Sequence, residues 1–152
     1  MIDEAVGQQA NAEVARRIQE SFDRQGLMKL LGARLALIEP GHVQISMPRR
    51  PEVSQQHGYI HAGATSAIAD TAGGYAGLTL MPPTSEVLTV EYKLNLLAPA
   101  TGDHLEAEGT VLKSGRTLTV CRLEVFSVQD AERKLIAAGQ QTLISVPKAA
   151  ES

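Results

Sequence analysis

Residues 57–80, HGYIHAGATSAIADTAGGYAGLTL, limit the possible folds more than any other stretch of the chain. A Gly-containing turn, HGYIHAG, leads into a run of Ala, Gly, Thr and Ser in which only Ile68, Tyr75, Leu78 and Leu80 are bulky and only Asp70 is charged. A surface helix needs a polar stripe. This segment has none, so it reads as a helix enclosed on all sides by other elements. Gly73, Gly74 and Gly77 each cost roughly 1 kcal/mol of helix propensity relative to Ala, and close approach of neighbouring backbone is the usual compensation. Asp70 then falls inside a buried helix with no Lys or Arg within a turn, where loss of hydration penalises the ionised form. A group held at such a cost is a candidate for chemistry. The plainer alternative is a carboxylate that faces a wet groove or bonds a neighbouring backbone group.

A chain of 152 residues is expected to form one domain with a substantial core. The formal net charge of −3, the absence of like-charge runs and the scarcity of aromatics argue against a nucleic-acid partner. Cys121 is the single cysteine, which rules out a disulfide within the chain and fits a reducing compartment. The opening MIDEAVGQQANAE carries no mark of a signal peptide, and no apolar run approaches a membrane span. The expectation is a cytoplasmic protein with no membrane partner.

Residues from about 8 to 25 have helical spacing, with Val14, Ile18 and Phe22 on one face, and Gly26 is a plausible stop. Met28, Leu30 and Leu31 form a short second turn, read as core, that ends at Gly32. From Ala33 the period becomes two: Leu35 and Leu37 alternate, Glu39-Pro40-Gly41 turns, and residues 42–47 alternate again as the second arm of a hairpin. Residues 48–56 read as a polar loop, and MPPTS after Leu80 as a break. Long strands follow. The first is expected to place Leu88, Val90, Tyr92, Leu94 and Leu96 on one face, and the next Leu105, Ala107, Gly109 and Val111. Residues 117–128 and 135–146 supply two more, and the PKAAES tail reads as frayed. One run of antiparallel strands and one very apolar helix imply an α+β architecture in which the sheet curls around the helix. The single domain covers residues 1–152, with its core at about 32–146.

Four pieces of the chain together resemble the hotdog-fold acyl-CoA thioesterases of the PaaI-like, phenylacetate-degradation type. They are Gly58-Tyr59-Ile60-His61-Ala62-Gly63, Asp70 nine residues after His61, Glu86-Val87-Leu88-Thr89-Val90-Glu91-Tyr92, and Val111-Leu112-Lys113-Ser114-Gly115-Arg116-Thr117-Leu118. The chain departs from the usual pattern in having Ala62 between His61 and Gly63, and Gln55 where many relatives carry Asn. The resemblance implies a hotdog fold and a dimer or dimer of dimers, and thus a homotetramer in the latter case. It places active sites at the subunit interface, with the helix N-terminus and His61 from one subunit and Asp70 and Thr89 from the other. It implies hydrolysis of an acyl-CoA, aryl-acetyl or medium-chain, with no cofactor, coenzyme A being part of the substrate.

The chemistry is consistent with that division. The first N–H groups of the helix, at Ala62 and Gly63, point out of its positive end and can hold a thioester carbonyl oxygen. Asp70 lies seven residues beyond Gly63, about 10 Å at the helical rise, too far to reach the same carbonyl. A carboxylate from a partner chain is therefore reasonable, as nucleophile or general base. Gly63 is assigned as donor to the carbonyl oxygen, Gln55 and His61 as groups that orient substrate or loop, and Thr89 as a water-placing group. For Lys113, Ser114, Gly115, Arg116, Thr117 and Leu118 the resemblance implies contacts to coenzyme A, with Lys113 and Arg116 pairing with phosphates. A solvated hairpin turn is the alternative there. Arg49 and Arg50 are further phosphate candidates.

Other chemistries are less well served. His57 and His61 are four apart, but they fall in a Gly-containing turn without a third ligand, so no metal site is expected. His42 and His104 read as surface residues. A Ser-His-Asp triad has no nucleophile elbow to support it. A non-catalytic acyl-CoA sensor on the same fold would not need Asp70, and enoyl hydration would need a closely spaced Asp and His that this helix lacks.

Overall fold

The computed structural model describes residues 4–149, with side chains from residue 11 onward. The elements run α1 (Glu4–Asp23), α2 (Gly26–Leu31), β1 (Arg34–Glu39), β2 (His42–Pro48), a 3-10 turn (Pro51–Val53), α3 (Ala62–Leu78), β3 (Ser85–Leu96), β4 (His104–Ser114), β5 (Leu118–Gln129) and β6 (Glu132–Pro147). The strands form one antiparallel sheet in the order β1-β2-β4-β5-β6-β3, curled around α3. This is the hotdog architecture.

The helix expected over about 8–25 extends back to Glu4. The Ala, Glu and Gln residues there are good helix formers and need no apolar stripe to continue it. Ile18 and Phe22 are buried and Val14 packs against the core, as their four-residue spacing requires. Arg17 reaches over to the carbonyls of Pro82 and Ser85 and so ties α1 to the loop after α3. Of the three apolar residues assigned to the core in α2, Met28 and Leu31 are buried but Leu30 is exposed. Residues 1–3 lie outside the described residues. So do residues 150–152, the end of the tail expected to fray, whereas Pro147 belongs to β6 and Lys148 N–H donates to Thr84 O.

The small residues of α3 are explained by what lies against them. A Cβ on Gly73 would sit 1.9 Å from the Gln141 side-chain oxygen. One on Gly109 of β4 would sit 2.4 to 2.5 Å from the backbone of Ala72 and Gly73. Helix and sheet are therefore in backbone contact, which is what offsets the helical cost of glycine. Gly109→Ala is expected to cost about 3 kcal/mol or to prevent folding, because backbone cannot yield as a side chain can. Gly74→Ala, whose Cβ would meet nothing within 4 Å, should instead gain up to about 1 kcal/mol. Denaturant melts of the two variants check the contrast.

The alternation expected in β3 breaks in the middle. Its register against β6 slips between Thr89 and Glu91, leaving Val90 as the extra residue of a bulge. Val87 and Leu94 both pack on the core although they are seven positions apart, so the inward set passes from odd to even numbers at the bulge. Leu88 thus faces away from the core while Leu94 faces it, and the single apolar face expected from residue 88 to residue 96 does not exist.

On the other side of the sheet, Arg133 bonds Glu106 at 2.8 Å and Glu108 at 2.7 Å and lies 3.5 Å over the Phe126 ring. Burial alone would raise the Glu106 carboxyl, but hydrogen bonds from Arg133 and His104 outweigh it and hold that group below its ordinary value. His42 and His104, read from sequence as plain surface residues, are half-buried members of this network.

Candidate active site

His61 is the N-cap of α3, in extended conformation, and its Nδ1 accepts from Gly63 N–H at 2.7 Å. The Gly63 amide assigned to a substrate carbonyl is thus engaged by the cap in this state. The Ala62 N–H has no intramolecular acceptor among the described residues. Sequence reasoning treated the two amides alike because a His side chain is not a common cap. Gln55 serves the loop before the helix: its Oε1 accepts from His57 N–H at 2.5 Å and Tyr59 N–H at 3.3 Å. A cleft of about 580 Å³ opens at this end of the helix, lined by Gln55, Tyr59, His61, Ala62, Leu96 and Leu97 among others.

Asp70 lies two turns further along α3. It is half-buried rather than buried, and it is well partnered. Its Oδ1 accepts from Thr89 Oγ1 at 2.7 Å and from Gln141 Nε2 at 2.5 Å. The Nε2 group also donates to the main-chain oxygen of Asp70 at 3.0 Å and lies 3.2 Å from Thr89 Oγ1. Uncharged donors thus take the place of the cation that the sequence lacks. A second cleft of about 210 Å³ exposes this group, with Gln25, Gly74, Tyr75, Glu86 and Thr89 in its walls. Gln141 is the residue that sequence reasoning missed. It reads as an ordinary polar position on a strand, and only its zero exposure distinguishes it.

The two clefts share no lining residue. A single chain therefore brings together Gln55, His61, Ala62 and Gly63 at one place and Asp70 with Thr89 at another. It does not bring the hairpin turn of residues 113–118 to either. Those residues are exposed at the end of the β4-β5 hairpin, and their side of the sheet packs near Gly77, towards the far end of the helix. Arg49 and Arg50, the further phosphate candidates, are occupied with backbone. Arg49 holds Thr101 O and Gly58 O at 2.8 and 2.6 Å, and Arg50 holds Leu30 O at 2.5 Å. Cys121 is buried, and burial pushes its thiol up to about 12.

The model of the thioesterase superfamily matches residues 57–134, which include the helix cap, Asp70 and Thr89. The chain belongs to that superfamily. A thioesterase family protein from Silicibacter pomeroyi is 41% identical, with a TM-score of 0.86 over 89% of this chain and 99% of that one. The 1,4-dihydroxy-2-naphthoyl-CoA hydrolase of Listeria monocytogenes is 22% identical over 78% of this chain and 94% of its own. The PaaI protein of the E. coli phenylacetic acid degradation operon superposes with a TM-score of 0.79 over 90% of this chain and 96% of its own. At 20% identity that last likeness concerns the fold alone. No helix among the described residues is long and apolar enough to cross a membrane.

Proposed function

We propose that the protein hydrolyses acyl-CoA thioesters at a site completed by two protomers. The observation that carries this reading is the separation just described. A carboxylate with one oxygen held and the other open sits in one cleft, and an uncommitted helix-end amide sits in the other.

β3 supplies a means of joining them. It is an edge of the sheet, paired only with β6 among the described residues, and it presents Leu88, Val90, Tyr92 and Leu96 as exposed apolar side chains. A long edge strand of that composition calls for a partner. It also carries Thr89, so a second copy docked there would stand beside Asp70. A homodimer, or a dimer of dimers, follows from this reading.

With substrate bound, the Ala62 amide receives the carbonyl oxygen. The Gly63 amide joins it when the His61 ring turns aside. Asp70 of the other protomer attacks the carbonyl carbon directly or takes a proton from a water that attacks it. The tetrahedral oxyanion is held by the amides, and its collapse breaks the C–S bond. Coenzyme A leaves as the thiolate and takes up the proton that Asp70 removed from water or, after direct attack, one from solvent, the acyl anhydride on Asp70 then being hydrolysed by water to the free acid. Gln55 keeps the loop in shape and Thr89 keeps Asp70 in place. The 113–118 turn lies at neither cleft of its own chain, so in this reading a neighbouring protomer supplies it, and its Lys113 and Arg116 pair with the coenzyme A phosphates. The walls of the larger cleft, with Leu96, Leu97 and Tyr59, suit an aryl-acetyl or medium-chain acyl group. The aromatic acyl group in the Listeria hydrolase's name favours an aromatic acyl group over an aliphatic one, although a naphthoyl group carries its carbonyl directly on the ring and an aryl-acetyl group does not.

Incubation with a panel of acyl-CoAs, read as release of free thiol, tests the activity. Cys121 stays protonated at assay pH, so the signal reports the product. Binding without release would identify a sensor instead. Ala62→Pro tests the amide. Pro is favoured at the first helical position, and His61 before it is already extended at φ −63°, ψ 137°, so the helix should persist without that N–H. A fall in kcat of about a hundredfold is expected, with circular dichroism unchanged. Full activity would exclude Ala62 as the donor.

A further inference from the structure

Gln141 is wholly buried, and its amide has an unusual set of partners. The nitrogen is satisfied by the Oδ1 and the main-chain oxygen of one residue, Asp70, at 2.5 and 3.0 Å. The oxygen has no partner among the described residues, and it lies against Gly73, where no side chain would fit. An unpaired acceptor in the interior calls for an explanation, since an apolar side chain of the same length would avoid it. What an apolar side chain could not do is donate to the carboxylate.

We infer that Gln141 is a positioning residue for Asp70: its amide pins Oδ1 and the adjoining backbone together, so that Oδ2 alone faces the cleft as the reactive oxygen. Thr89 supports the same oxygen from β3 at 2.7 Å. Oδ2 receives no hydrogen bond from the described residues, so the carboxylate is held by one side only. The other ionisable groups around it are Glu86 of β3 and Tyr75 of α3, which line its cleft, and Cys121 of β5 and Tyr92 of β3, the cross-strand neighbours of Gln141. Arg17 of α1 is engaged with the Pro82 and Ser85 carbonyls. None of these donates to Asp70, so Thr89 and Gln141 are its two supports.

This inference rests on Asp70 being the reactive carboxylate, and the test separates the two. In Gln141→Met, kcat should fall by about tenfold or more with KM changed less than about threefold. A purely structural role would lower the melting temperature without that split between kcat and KM. Should the variant fail to fold, the unaltered protein decides: the Gln141 side-chain amide protons should be shifted downfield and slow to exchange through their bond to the Asp70 carboxylate, and these resonances should lose both properties in Asp70→Ala. An unchanged kcat in folded Gln141→Met, or amide resonances indifferent to the loss of the carboxylate, would overturn the inference. Absence of hydrolysis by the unaltered protein would instead defeat the thioesterase reading, and the resonance experiment would still settle whether Gln141 holds the carboxylate.

Discussion

Asp70→Asn is expected to lower kcat for thioester hydrolysis by about a thousandfold while leaving the fold and ligand binding intact. The expectation of an intact fold comes from the hydrogen bonds. Asn keeps an oxygen that can accept from Thr89 and Gln141, which now hold Oδ1 at 2.7 and 2.5 Å. Its nitrogen then occupies the open position, where it can neither take a proton from water nor attack a carbonyl. Steady-state kinetics beside a thermal melt and a titration with a non-hydrolysable acyl-CoA analogue separate these effects. Hydrolysis within about threefold of the parent would remove Asp70 from the mechanism.

The second large effect is a gain. Asp70→Asn and Ala62→Pro should each be nearly inactive alone, yet an equal mixture with reassorted subunits should recover about a quarter of parental activity. In a hybrid dimer one site carries both lesions and the other carries neither, and hybrids form about half of a random mixture. Recovery requires that the carboxylate and the amide of one working site come from different chains. Were both supplied by the same chain, every site in the hybrid would retain a lesion and the mixture would stay dead. Differently tagged subunits, co-expressed and purified through both tags, would concentrate the hybrid and raise recovery to about half.

Much of this was legible in the chain itself. The period-two pattern of β4, the hairpin of β1 and β2 and the amphipathic stripe of α1 follow from residue spacing. The enclosure of α3 follows from the absence of a polar stripe between Ala62 and Leu78. The resemblance of residues 58–63 and 86–92 to a known family points to the superfamily from the sequence alone. What was not legible depended on contacts between distant segments. The partners of Asp70 lie 19 and 71 residues away, so a side chain read as buried and alone proved to be half-buried and supported. The capture of the Gly63 amide by His61 depends on a rotamer. The slip in β3 depends on its register with β6, which no pattern within the strand discloses.

That slip ties two tasks to the length of a single segment. Thr89, before it, must meet the carboxylate, and Leu94, after it, must meet the core, although their spacing in a regular strand would send them to opposite sides. A change of one residue in the length between them would break one contact or the other, turning Thr89 from Asp70 or Leu94 into water. A change of two would preserve both orientations. Parity, more than composition, is the constraint under which this edge of the molecule can vary.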